Sequence, residues 1–183
     1  MKILILGSGG REHAFCWKLS QSELCSQLLI APGNAGTAQY GENFDIDIND
    51  FNTVKKICIS NKIEMVVVGP EEPLVNGIYD FFKKDENLKN IIITGPSICG
   101  ARLEGSKAFA KSFLQKHKIP TAKYGEFNNE NFNEGLEYLN NHTLPIVLKA
   151  DGLAAGKGVV IPDTLEEAKK VIAESIERFK AQA

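Results

Sequence analysis

Hydrophobic residues in the first half of the chain come in short runs, each followed by a stretch with helical spacing. Lys2–Leu6, Leu28–Ala31, Met65–Val68 and Asn90–Thr94 read as strands. Ile3–Leu6, Met65–Val68 and Ile91–Ile93 are apolar at successive positions, the pattern of strands buried on both faces. Gly10–Ser20 predicts a helix, and Asn49 and Asp50 are good N-caps for a second, running to about Ser60. Leu74–Lys84 predicts a third, with Ile78, Phe81 and Phe82 as its apolar stripe. A turn-rich stretch, Pro32–Asn43, and an alternating segment, Phe44–Ile48, lie between the second strand and the second helix. Strands alternating with helices imply a parallel sheet covered on both sides, a Rossmann-like α/β domain of three layers.

The pattern changes after Gly105. Ser106 is placed to cap a helix with the stripe Phe109, Ala110, Phe113 and Leu114, ending before Ile119 and Pro120. A strand is expected near Ala122–Phe127, a helix near Phe132–Asn140, and strands at Pro145–Lys149 and Val159–Ile161. A last helix runs from Leu165 to about Phe179, with Thr164 and Glu167 spaced as a capping box. This is a second, smaller α+β unit. With about three strands it is marginal by itself, so the sequence reads as the front part of a longer protein.

Composition narrows the function. The chain has 183 residues, 43% hydrophobic and 24% charged, as in an ordinary globular protein. Lys and Arg number 21 against 23 Asp and Glu, a net charge of −2, which argues against broad binding to nucleic acid or a membrane surface. No apolar run has transmembrane length, and Met1–Leu6 is too short for a signal peptide. Cys16, Cys25, Cys58 and Cys99 form no C-x-x-C pair and have no histidine at metal spacing; they read as buried free thiols of a cytoplasmic protein. Phe15 and Trp17, on the first helix, read as core.

Candidate chemistry sits in the glycine loops. Lys149–Val159 reads KADGLAAGKGV. It is not a Walker loop: the first glycine would fall at Asp151 and the magnesium-binding hydroxyl at Gly158, and a strand rather than a helix follows. A glycine hairpin between two strands can still lay backbone N–H groups over phosphates. Gly7–Gly10 likewise fails as a dinucleotide fingerprint. Glu12 stands where the third glycine belongs, and Ala31–Asn34 replaces the ribose-binding acid. A glycine turn at a helix N-terminus nevertheless presents N–H groups to an anion. Arg11 and His13 stand in that first turn, where the dipole disfavours cations unless an anion is bound. The loops Pro32–Thr37, Gly69–Pro73 and Gly95–Ser97 share the same carboxyl rim, where open sheets bind ligands.

Five stretches in order, Ile5–His13, Ala31–Thr37, Val68–Leu74, Leu103–Phe109 and Leu148–Val159, closely resemble the phosphoribosylamine–glycine ligases, ATP-grasp enzymes of purine biosynthesis. The resemblance runs from Met1 to about Glu174; Glu72 stands where an alanine is common. It implies a pre-ATP-grasp domain over residues 1–104, a hinge helix over 105–120 and the small lobe of an incomplete ATP-grasp domain over 121–183. It also implies ATP-dependent joining of glycine to 5-phosphoribosylamine, small-molecule partners only, and a cytoplasmic location. Lys107, Lys149, Asp151, Gly152, Gly156, Lys157 and Gly158 would bind ATP. Gly9, Gly10, Arg11, His13, Gly33, Asn34, Gly69, Pro70 and Glu71 would bind the sugar phosphate. The Mg2+ ligands and the large lobe are expected beyond Ala183, so the chain alone is expected not to ligate. The rival readings are a non-catalytic nucleotide or sugar-phosphate binding fragment and an NAD-dependent oxidoreductase, which Glu12 disfavours.

Overall fold

A computed structural model describes residues 1–153 and 158–182 of the protein. The chain divides into two compact units, Met1–Gly105 and Ser106–Ala183. In the first, β1 (Lys2–Gly7), β2 (Gln27–Pro32), β3 (Glu42–Asn43), β4 (Met65–Val68) and β5 (Ile92–Thr94) form one sheet. The strand order is β3-β2-β1-β4-β5 and every pairing is parallel. The order reverses between β1 and β4, so the loops leaving those two strands border the switch point where such sheets bind ligands.

Burial follows the apolar runs. Leu4, Ile5, Leu6, Leu29, Ile30 and Val66 have no exposed surface. Leu4, Leu6, Val54, Ile78 and Phe82 belong to the larger cluster on one side of the sheet, and Ile3, Ile5, Leu28, Ile30 and Cys16 to the smaller one on the other. Each buried Leu or Ile side chain contributes about 1.5–3 kcal/mol relative to exposure, so these strands anchor the rim above them.

Helices α1 (Gly10–Leu19) and α2 (Phe51–Asn61) follow the sequence expectation. Asp50 caps α2 by accepting the Asn52 and Thr53 N–H groups. The expected helix over 74–84 is instead two, α3 (Glu72–Val75) and α4 (Ile78–Lys84). Gly77 between them has φ +94°, a left-handed conformation that suits glycine and breaks the helix. α5 (Ile98–Gly105) was not expected. The alternating segment 44–48 forms no strand, yet Phe44, Ile46 and Ile48 still pack on the larger cluster. Trp17 departs from its core reading: it is 52% exposed, while Phe15 packs on the smaller cluster. Of the thiols, Cys16 and Cys58 are buried, Cys25 is intermediate and Cys99 is exposed. Burial pushes the Cys16 thiol up to about 11 and the Cys58 thiol up to about 12.

The second unit comprises α6 (Lys107–Lys116), α7 (Phe132–Asn140), the antiparallel pair β6 (Leu148–Lys149) and β7 (Val159–Val160), and α8 (Leu165–Gln182). Ser106 caps α6, its Oγ accepting the Phe109 N–H at 3.1 Å. Thr164 Oγ1 accepts the Glu167 N–H, while the Glu167 carboxylate returns to the Asp163 N–H rather than to Thr164, a shifted capping box. The strand expected near Ala122–Phe127 does not form. Lys111 Nζ instead holds Thr121 Oγ1 at 2.7 Å and the Ala122 carbonyl at 3.0 Å. The strand expected from Pro145 is shortened to its last two residues; proline brings no N–H to a ladder. Leu139, Ile146 and Ala168 form a small core, consistent with the marginal size of this unit.

Candidate functional site

The rim of the first unit is built around Glu12. This side chain is only 5% exposed, on the first turn of α1, and its Oε2 accepts the Gly9 N–H at 2.6 Å. Three glycines close around it. A Cβ on Gly7 would lie 2.6 Å from its Cγ, one on Gly9 3.0 Å from Oε2, and one on Gly69 2.1 Å from Oε1. Gly7 also has φ +125°. The β1–α1 and β4–α3 loops therefore meet the carboxylate at distances that leave no room for a side chain. A glycine at position 12 would let a helix approach a dinucleotide; Glu12 fills that space.

Several predicted ligand residues brace this rim. The Arg11 guanidinium donates to the Gly69 carbonyl, tying α1 to the end of β4. Asn34 Nδ2 donates to the Ser8 carbonyl at 2.7 Å, and its Oδ1 accepts the Gly36 and Thr37 N–H groups at 2.7 and 3.0 Å. Thr37, fully buried, takes the Asn34 N–H on Oγ1 at 2.7 Å and contacts Asn43 Oδ1 at 2.9 Å. His13 packs against Tyr40, ring centroids 5.7 Å apart, and Gly36 lets the loop approach its imidazole. Gly33 has φ +73° and lies over the Asn43 amide. Glu71 is half-buried at the start of α3, its carboxylate without a hydrogen bond among the described residues.

Between these loops opens a cleft of about 330 Å³, lined by Ser8, Gly9, Glu12, Asp47, Pro70 and Glu72 among others. Gly9 and Pro70 were expected here; Glu12, Asp47 and Glu72 were not. Gly9 brings no capping side chain and the Glu12 carboxylate takes only the Gly9 N–H, so the Gly10, Arg11 and Glu12 N–H groups remain open to a ligand.

In the second unit the base of the glycine loop is clasped to α6. Asp151 Oδ1 accepts the Lys107 N–H at 2.6 Å and the Ala108 N–H at 3.3 Å, and its Oδ2 accepts the Ser106 hydroxyl at 3.1 Å. Lys107 Nζ reaches back to the Gly152 carbonyl at 2.7 Å. Burial alone would raise the Asp151 carboxyl, but hydrogen bonds from Gly152, Ser106, Ala108 and Lys107 outweigh it and hold the group below its ordinary 3.8. Gly152, at φ +84°, turns the chain out of the clasp into the loop. Lys149 is exposed at the end of β6, and its ammonium has no partner among the described residues. Gly158 precedes β7, its carbonyl accepting the Ala150 N–H at 2.8 Å. Gly156 and Lys157 lie outside the described residues. Among the described residues no three His, Cys, Asp or Glu side chains gather to hold a metal ion, and no helix is long and apolar enough to cross a membrane.

A switch-point rim followed by a lobe with a clasped glycine hairpin defines a protein of the ATP-grasp class. The family model described as "Phosphoribosylglycinamide synthetase, ATP-grasp (A) domain" matches residues 105–183. The one described as "Phosphoribosylglycinamide synthetase, N domain" matches residues 1–104. The chain belongs to the phosphoribosylglycinamide synthetase family. It is 47% identical over 172 residues to a curated phosphoribosylamine–glycine ligase of Clostridium acetobutylicum, covering 94% of this chain and 40% of that one. It resembles the crystal structure of phosphoribosylamine–glycine ligase from Thermotoga maritima with TM-score 0.70 and 36% identity, over 93% of this chain and 38% of that one. The biotin carboxylase domain of Hydrogenobacter thermophilus 2-oxoglutarate carboxylase, solved with MgADP, ADP and bicarbonate, shares the fold at TM-score 0.69 and 18% identity, over 97% and 40% of the two chains. The protein spans about 40% of the length of the curated relatives it matches.

Proposed function

We propose that this chain is the N-terminal part of a phosphoribosylamine–glycine ligase, carrying its sugar-phosphate site and the base of its ATP flap. In this reading the glycine carboxylate takes the γ-phosphoryl group of ATP. The amine of 5-phosphoribosylamine then attacks the acyl phosphate, giving glycinamide ribonucleotide, ADP and phosphate. The observation that carries the reading is the 47% identity to a curated ligase across 94% of the chain, spanning rim and loop alike.

The geometry supports distinct roles. The open N–H groups of Gly10 and its neighbours, beyond Gly9, suit the 5-phosphate, and Arg11 keeps further donors after bonding Gly69. Glu71 suits a ribose hydroxyl, while His13, Gly33, Asn34, Gly69 and Pro70 shape the loops that hold it. Lys149 suits an ATP phosphate, since its ammonium is unpaired among the described residues. Lys107, Asp151 and Gly152 fix the base of the loop that Gly156, Lys157 and Gly158 complete. Phosphoryl transfer runs on positioning and charge neutralisation, which Mg2+ supplies when bound. Among the described residues no three His, Cys, Asp or Glu side chains gather to hold that ion.

Amide NMR of the chain, titrated separately with ATP and ribose 5-phosphate, tests the reading. ATP is expected to shift Ser106–Ala108 and Lys149–Gly158. Ribose 5-phosphate is expected to shift Gly7–His13, Gly33–Thr37 and Gly69–Glu71. Both ligands shifting only one common set would overturn the two-site assignment.

A further inference from the structure

We propose that Glu12 binds ligand directly: the free oxygen of its buried carboxylate accepts a hydroxyl or amine donor of the sugar ring in the switch-point cleft. This rests on the reading above and adds a residue which that reading leaves out. A buried carboxylate is costly unless it is paired or well hydrogen-bonded. Glu12 is 5% exposed, yet among the described residues it has one hydrogen bond, from Gly9 to Oε2, and no ion pair. The neighbouring cation, Arg11, donates to Gly69 instead. Oε1 lies against Gly69 and the carboxylate lines the cleft.

A plain helix cap does not account for this arrangement. Capping uses one oxygen, Oε2; Oε1 keeps its acceptor capacity and is reachable from the cleft, since no side-chain oxygen among the described residues is sealed away without a partner. Here Gly7, Gly9 and Gly69 all forgo a side chain so that the carboxylate can sit between the two loops. The lining of the cleft holds Asp47 and Glu72 beside Glu12 and no Lys, Arg or His. Such a wall repels a phosphate and attracts hydrogen-bond donors. A sugar phosphate would therefore turn its hydroxyls or amine into the cleft and its phosphate away from it.

The test uses the 183-residue chain with 13C-labelled glutamate carboxyls, and ribose 5-phosphate and inorganic phosphate as probes. Ribose 5-phosphate is expected to move the Glu12 carboxyl resonance, and inorganic phosphate to leave it in place. Glu12→Gln keeps an oxygen for the Gly9 N–H but loses the charge, and is expected to bind ribose 5-phosphate at least tenfold more weakly. Wild-type affinity in E12Q, or an unmoved Glu12 resonance while the Gly7–His13 amides shift, would overturn the proposal and leave the rim reading standing. If ribose 5-phosphate shifts no rim amide at all, both fall. Should E12Q lose its dispersed amide spectrum, the wild-type carboxyl resonance decides alone.

Discussion

Replacing Asp151 with alanine removes the acceptor for three donors at the start of α6: the Lys107 and Ala108 N–H groups and the Ser106 hydroxyl. Loss of a capping side chain costs about 0.5–2 kcal/mol, and a carboxylate at a helix N-terminus adds about 0.3–1 kcal/mol. Asp151 is solvent-exposed and Ser106 stays in place to cap Phe109, so the expected loss is near the low end, about 1 kcal/mol. For a unit of this size that lowers the melting temperature by about 4–8 °C. Hydrogen exchange localises the effect: Lys107 and Ala108 amides should lose protection while the β1 amides keep theirs. Asp151→Asn retains an oxygen acceptor and should lose less. The pH dependence has a defined sign. The folded carboxyl lies below its ordinary 3.8, so its contribution is complete above that pH and fades as pH falls through the folded value. Wild type and Asp151→Ala should therefore converge in acid. Equal melting at pH 7, or a gap that widens in acid, would refute the clasp.

Lys149→Ala should weaken ATP binding about tenfold or more, the loss of a charge-assisted bond worth about 1.5–3 kcal/mol, with ribose 5-phosphate binding unchanged by calorimetry. Gly69→Ala forces a methyl to within 2.1 Å of Glu12 Oε1, and should destabilise the first unit by about 1–3 kcal/mol in urea titration. At pH 8 a thiol alkylating agent should modify exposed Cys99 in the folded chain, and Cys16 and Cys58 only after unfolding; mass spectrometry of the peptides reads this directly.

The central strands were legible because a parallel sheet buried on both faces demands unbroken apolar runs, and Leu4–Leu6, Leu29–Ala31 and Val66 are fully buried or nearly so. Caps were legible where the partners are local, as at Asp50 and Ser106. α5 was not, because Ile98 and Leu103 leave their apolar side chains substantially exposed and no clean stripe marks it. The split at Gly77 depends on a left-handed turn that the flanking helical spacing hides. Trp17 shows the limit of residue type as a guide: it lies on a helix whose buried positions are Glu12 and Cys16.

The candidate site was legible as a set of loops but not as a set of roles. Asn34 and Thr37 carry a local signature, a polar side chain bonding N–H groups two or three residues on, and could have been read as loop scaffolding. Asp151 and Lys107 could not, since their partners lie 44 and 45 residues away along the chain. Glu12 is the sharpest case. In sequence it marks only a missing glycine; in the fold it is the group around which Gly7, Gly9 and Gly69 are arranged. Glycines of such a rim are ordinarily read as making room for a ligand. Here they first make room for a carboxylate, and that carboxylate lines the cleft.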